Sequence, residues 1–261
     1  MSHLILAIDT THETGSLALV RAGQTAIDTT REAGSLAPVR AGETAIHTTH
    51  ETGSLAPVRA GETAAEMETI DEMVLRAPTG FAHVIYGHIA GMLRRNGLDL
   101  AAVDCFAAAS GPGSFTGVRV GLACVKGLAE ALGRPAAAVS NLRAMAAFGT
   151  APLRAAVLDA RRGEVYGAVY GADGKLVAPE TVAPFPVWLE SLPAGEIEFV
   201  CGGGYAPQLA GTRFANARVV AAPEALAAAV GRLAGEAGDP AALDANYVRR
   251  PDAELLWKDT V

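Results

Sequence analysis

Apolar and polar positions along this chain switch between two periods. Leu4-Ile5-Leu6-Ala7-Ile8 is an unbroken apolar run closed by Asp9, the pattern of a strand buried on both faces. The polar stretch Thr11–Gly15 separates it from a second apolar run, Ser16–Val20, closed by Ala22-Gly23. Strand, turn and returning strand follow. Residues 64–73 mix acidic and apolar side chains and read as a third strand. Pro78-Thr79-Gly80 then opens a helix, in which Phe81, Val84, Ile85, His88, Ile89, Met92 and Leu93 share one face. Arg94-Arg95 suits its last turn and Gly97 stops it. Val103–Ala109 reads as a buried strand. The segment Ser110-Gly111-Pro112-Gly113-Ser114-Phe115-Thr116-Gly117 comes next, followed by a helix over 118–132, a strand over 136–139 and a helix over 141–148.

The second half has the same grammar. Residues 154–158 form a strand that ends at Asp159. Ala160-Arg161-Arg162-Gly163-Glu164 is a turn, 165–170 the returning strand, and Gly171-Ala172-Asp173-Gly174 turns again into 175–177. A helix over 186–192, a strand over 198–201 and a helix over 223–237, with Pro223 at its start, complete the pattern. Strand alternates with helix, so the class is α/β. Two halves that each open on an apolar strand ending in Asp suggest a duplicated fold.

The N-terminal part also repeats itself. Residues 7–25, 26–44 and 45–63 are three copies of one 19-residue unit, and the first and third differ only at Asp9/His47, Leu19/Pro57 and Gln24/Glu62. Tandem duplication of one hairpin explains such similarity at one end of the chain better than a solenoid does. Copies two and three carry Pro38 and Pro57 where copy one has Leu19, and proline is poorly tolerated in a central strand. Two threadings are open. In the first, which the prolines favour, copy one forms the hairpin, residues 26–30 become the third strand and the rest bulges out. In the second, the first strand comes from copy one, and residues 54–69 supply the other two. Either way the excess is expected on the surface.

Composition narrows the function. Half of the 261 residues are apolar, net charge is −7 and aromatics are 5%. An acidic chain is a poor direct binder of RNA phosphates, and so few rings promise no platform for stacking bases. Cys105, Cys124 and Cys201 form no CxxC pair and read as reduced core residues of a cytoplasmic protein. No run reaches the length of a membrane span, and the first residues read as a mature strand rather than a signal peptide.

Candidate chemistry is sparse. His47 and His50 are three apart, but no Cys or carboxylate completes a metal set. His83 and His88 are spaced off a common helix face. The loop 110–117 could cradle a phosphate ahead of a helix, yet it lacks a Walker-type Lys-Ser/Thr and Pro112 removes a backbone donor. A structural role in close helix–strand packing competes with that reading. Ser114 is not in a GxSxG elbow. Asp9 and Asp159, both at strand ends, are placed to cap their own turns.

Strand, Asp, polar turn and returning strand, twice over, resemble the actin-like ATPase (ribonuclease H-like) superfamily. More narrowly, LILAIDT, SGPGSFTGVRVGLACVKGLAEALG over 110–133, VLDARRGEVYGAVY over 157–170 and YVRRPDAELLWKD over 247–259 resemble the TsaB (YeaZ) family. The resemblance implies two actin-like subdomains of mixed sheets flanked by helices, with boundaries at 1–138 and 139–261. It implies a non-catalytic partner of TsaD, the transferase that moves threonylcarbamoyl from its adenylate to the adenosine beside the anticodon of tRNA. TsaE would join a larger complex, tRNA would be met only through the complex, and a homodimer could form in isolation. No metal or cofactor is implied. Asp9 and Asp159 would be vestiges of the phosphate and Mg²⁺ positions of the related ATPases. The interface would use helices 81–96 and 118–132, through Ile85, Ile89, Val118, Gly121, Leu122 and Val125. A nucleotide-binding regulatory module and a glycoprotease-like hydrolase are the alternatives.

Overall fold

A computed structural model describes residues 3–23, 67–235 and 237–249. Two five-stranded sheets carry the fold. The first runs β3(Met67–Arg76)-β2(Thr14–Ala22)-β1(His3–Asp9)-β4(Cys105–Ala109)-β5(Ala136–Val139). The second runs β10(Val219–Ala221)-β9(Ile197–Cys201)-β6(Leu153–Arg161)-β7(Glu164–Gly171)-β8(Leu176–Pro184). In both, three antiparallel strands lead into parallel pairs, β1 with β4 in one and β6 with β9 in the other. The shared order is the duplicated α/β fold expected from the sequence.

Five layers follow from which faces are apolar. α1(Ile85–Arg95) and α2(Phe115–Leu132) cover Leu4, Leu6, Ile8, Leu17, Leu19 and Phe106 on the outer face of the first sheet. α3(Asn141–Ala146) and α5(Ala227–Arg232) lie between the sheets, against Ala7, Ala18 and Ala107 on one side and Ala156 and Ala168 on the other. Alanine on those inner faces lets the helices sit close. α4(Phe185–Ser191) closes the second sheet with Trp188 on Phe199. Because α5 belongs to the second half of the chain but packs on the first sheet, the two halves share one core. A boundary at 138–139 falls within β5.

Several elements depart from the sequence reading. β8 extends to Pro184 rather than ending near 177. It is an edge strand, so Pro179 and Pro184 cost it no central ladder bond. α5 is shorter than 223–237, because Gly231 and Gly235 weaken helix propagation. α2 begins at Phe115, with the Ser114 hydroxyl accepting from Gly117 N at 3.3 Å. A 3₁₀ turn over Phe81–His83 precedes α1. β10 was not anticipated.

The repeat threading is corrected in part. Copy one does supply β1 and β2, but the third strand is Met67–Arg76, paired from Thr14↔Arg76 to Ala22↔Met67. It therefore does not come from residues 26–30 and overlaps the 54–69 threading only at residues 67–69, whereas the reading of residues 64–73 as a third strand is met at 67–73. Residues 67–76 offer ten strand positions that mix acidic and apolar side chains, with Met67 and Leu75 buried, which suits an edge strand with one face on the core. Copies two and three, with His47 and His50, lie outside the described residues. Deleting residues 26–63 would close the Ala22↔Met67 hairpin through Gly23-Gln24-Thr25-Ala64-Ala65-Glu66. Loop-closure entropy favours that connection over residues 23–66 by up to about 1.8 kcal/mol. The deletion protein is expected to be soluble, with a urea midpoint equal to or above that of the full chain. A clearly lower midpoint would show that the repeats build part of the core.

Candidate functional site

Asp9 ends β1 and is 3% exposed. Its Oδ1 accepts from Thr11 N at 2.9 Å and from the Thr11 hydroxyl at 2.6 Å. That hydroxyl in turn accepts from Asn141 Nδ2, and Asn141 Oδ1 accepts from Gly111 N at 2.9 Å. Asp159, expected to end the matching strand, lies two residues before the end of β6, at its register shift with β7; it is exposed, and its Oδ1 accepts from Arg161 N at 2.8 Å. Each aspartate thus caps its own turn through the N–H two residues on. Beside Asp159, burial and the neighbouring carboxylate push the Tyr205 phenol up to about 12.

The loop 110–117 lies against the Thr10-Thr11 turn. Ser114 N donates to Thr11 O at 2.6 Å, and the Thr10 hydroxyl donates to Gly117 O at 2.7 Å. A Cβ on Gly113 would stand 2.6 Å from Thr11 O, and one on Gly117 would stand 1.9 Å from Thr10 O. Here glycine is required for close approach, with the start of α2 seated directly on the backbone of the first turn. Two backbone donors of this loop are thus spent on packing, Gly111 N on Asn141 and Ser114 N on Thr11.

The C-terminal segment straps the two halves together. Asn246 N donates to Ser110 O at 2.8 Å, and Asn246 Nδ2 donates to Glu180 on β8. Glu180 also accepts from the Tyr170 and Ser140 hydroxyls. Burial first, and then that carboxylate, push the Tyr170 phenol well above its ordinary value. Arg249 pairs with Glu164 and donates to Ala160 O at 3.0 Å, so the strap reaches the Asp159 turn.

The predicted interface side chains are placed differently from the expectation. Ile85, Ile89, Val118, Gly121, Leu122 and Val125 are all buried, facing the first sheet from α1 and α2. They are core, because the apolar stripe of a covering helix faces the sheet that it covers. The outward face of the same helices carries Tyr86, Gly87 and Ala90 on α1 and Arg119, Ala123 and Gly127 on α2. Tyr86 is 55% exposed. A Cβ on Gly87, Gly91 or Gly127 would meet open space, so none of the described residues requires glycine there. Between the helices runs a groove of about 230 Å³ lined by Tyr86, Ala90, Leu93, Leu98, Leu100 and Leu128.

Cys105, Cys124 and Cys201 are buried free thiols. Burial pushes Cys105 up to about 12 and Cys124 up to about 11. Among the described residues, no group of three or more His, Cys, Asp and Glu side chains gathers in one place, and His83 and His88 stay apart from such partners. No described helix is long and apolar enough to cross a membrane. Sequence reasoning missed Asn141, Glu180 and Asn246, for which no motif signalled a role; Ser140, a helix cap, was the one readable neighbour. It also missed that the fold brings Phe115 against Tyr247, with ring centroids 5.6 Å apart.

Comparison with known proteins decides the family. A family model described as TsaD, tRNA N6-adenosine threonylcarbamoyltransferase, matches residues 77–230. TsaB of Bacillus subtilis (strain 168), a tRNA threonylcarbamoyladenosine biosynthesis protein, is 40% identical over 104 residues, which are 37% of this chain and 45% of that protein. A protein of Mycobacterium tuberculosis H37Rv is 33% identical over 194 residues, 73% of this chain and 85% of its own length. The crystal structure of YeaZ from Pseudomonas aeruginosa superposes with a TM-score of 0.63 at 25% identity, covering 94% of this chain and 99% of that one. The chain belongs to the TsaB (YeaZ) branch of the TsaD family. It spans less than half the length of the curated TsaB relatives that it matches. The GPGSFTG loop at 111–117 lies within the 77–230 match, and the close contact of α2 with the first turn explains its glycines.

Proposed function

We propose that this chain is a non-catalytic partner subunit of a TsaD-type transferase and serves the formation of threonylcarbamoyladenosine in tRNA. The observation that carries the reading is the outward face of α1 and α2. Small residues with open space above them, an exposed tyrosine and an apolar groove present a surface on which the backbone of another helical layer could approach closely. The contact would use Tyr86, Ala90, Ala123 and Gly127 rather than the buried stripe beneath them. A second copy of the chain could occupy the same face in isolation, by an isologous contact, and TsaE would join the larger assembly. Asp9 supports the non-catalytic side of the reading: its carboxylate is buried and engaged twice by Thr11.

The decisive experiment is binding to the TsaD of the same organism, measured by calorimetry. Ala123→Arg places a charge at the centre of the proposed contact without touching the core. It is expected to weaken binding by about 2 kcal/mol or more, roughly 30-fold. Leu176→Arg, on the exposed edge of the second sheet, serves as the control and should bind as the full chain does. Equal affinity for both variants would remove the α1–α2 face from the interface. Nucleotide or peptide turnover by the purified chain, lost in Asp9→Ala or Asp159→Ala, would favour an enzyme instead.

A further inference from the structure

One surface is left unused by the α1–α2 contact. Phe115 and Tyr247 are 44% and 40% exposed, although large rings are ordinarily covered. They stack with an interplanar angle of 29°. The Arg119 guanidinium lies 3.8 Å from the centre of the Phe115 ring, and Arg119 Nε donates to the Tyr247 hydroxyl at 3.0 Å. Guanidinium, phenyl and phenol thus form one layered edge, held by side chains from α2 and from the strap. Two residues along the strap, Arg249 ties this edge to the turn that bears Arg161 and Arg162. That turn holds both arginines at positive φ, 62° and 57°, and turns them into solvent on the tip of the β6–β7 hairpin.

We propose that the Phe115–Arg119–Tyr247 edge binds a single-stranded segment of nucleic acid, bases stacking on the rings and phosphates meeting the arginines. Planar bases match a flat, partly exposed aromatic–guanidinium stack, and such stacking tolerates any sequence. An acidic peptide would satisfy the guanidinium groups but leave the ring faces wet. Asp159 and Glu164 temper the charge of the turn, and Glu164 takes up Arg249, so Arg119 and Arg161 supply the attraction. Along α2 the exposed positions Phe115, Arg119, Ala123 and Gly127 follow one another at intervals of four. A strand on the first two would therefore abut a protein seated on the last two. The inference goes beyond the TsaD reading and is tested on the chain alone, so either can fail without the other.

The test is fluorescence anisotropy at low salt, with the full chain and labelled single strands about 12 nucleotides long, in RNA and DNA forms of one mixed sequence, and with the matching duplex. Single strands should bind more tightly than the duplex. The RNA and DNA arms show which sugar is preferred. Phe115→Ala should weaken binding at least about fivefold, the loss of one stacking partner, with the salt dependence kept. Arg119→Gln should flatten the log–log salt slope by about 0.7, one phosphate contact. Arg95→Gln, at the end of α1 where it pairs with Asp71 of β3, should change nothing. Absence of binding, preference for the duplex, or equal affinity of Phe115→Ala and the unchanged chain would overturn the proposal. Circular dichroism of each variant confirms that the fold is intact.

Discussion

Gly117→Ala is expected to destabilise the chain by at least about 3 kcal/mol. The added Cβ would fall 1.9 Å from Thr10 O, well inside contact distance, and its neighbour is backbone on both sides. No rotamer can move it away. Relief requires α2 to lift from the first turn, which breaks the bond from the Thr10 hydroxyl to Gly117 O and the seat of Ser114 N on Thr11 O. In a chain of this size the loss corresponds to roughly 6–12 °C in Tm. Gly127→Ala, in the same helix, should do the reverse. Its Cβ would meet open space, and alanine in place of glycine in a helix interior gains about 0.5–1 kcal/mol. Thermal unfolding of the two variants side by side checks both signs. A Gly117→Ala protein as stable as the unchanged chain would contradict the close seating of α2.

Asn141→Ala should cost about 3 kcal/mol by a different route. Asn141 is fully buried and serves as donor to the Thr11 hydroxyl and acceptor for Gly111 N. Truncation orphans the buried Gly111 N–H, at about 1–3 kcal/mol, and takes one partner from the Thr11 hydroxyl, which keeps Asp9. Asn141→Asp keeps the acceptor for Gly111 N but loses the amide donor and sets a second carboxylate near Asp9. It is expected to recover little at neutral pH and more as acid protonates it. Urea denaturation at neutral and acidic pH reads both effects. Full stability of Asn141→Ala would mean that the chain from Asp9 through Thr11 and Asn141 to Gly111 carries no weight.

The parts of the fold that were legible in the sequence are those written in local periodicity. The doubly apolar runs of β1 and β4, the Asp-bearing openings of both halves and the Gly133 end of α2 all announce themselves through neighbours a few residues apart. What periodicity cannot say is against what an apolar stripe packs. Val118, Leu122 and Val125 look the same from the sequence whether they meet a sheet or a partner, and here they meet the sheet. The threading of the repeats was misplaced because copy-to-copy similarity drew the third strand towards residues 26–30, whereas pairing is settled by the mixed acidic and apolar segment after all three copies, which the pattern over 64–73 had already marked as a strand. Asn141, Glu180, Asn246 and the Phe115–Tyr247 stack share one reason for having been missed. Each joins positions far apart in the chain, and no spacing along the sequence encodes such a meeting.

The placing of α5 bears on how the chain can be made. Its first N–H groups, at Leu226 and Ala227, donate to the hydroxyl of Ser16, at 3.1 and 3.0 Å, and Ala228 N donates to Glu72 at 2.8 Å. Gly231 lies so close to β2 that a Cβ there would fall 2.7 Å from Val20. A helix near the end of the chain is therefore capped and seated by its beginning. During synthesis the first sheet leaves the ribosome with Ala7, Ala18 and Val20 uncovered, and they stay uncovered until residues 227–232 follow about two hundred positions later. At ordinary translation speeds of roughly 5–20 residues per second, that is an interval of about ten seconds or more. A nascent chain stalled before residue 226 has its strands but not their lid, and it is at that stage that a chaperone would find an apolar face to hold.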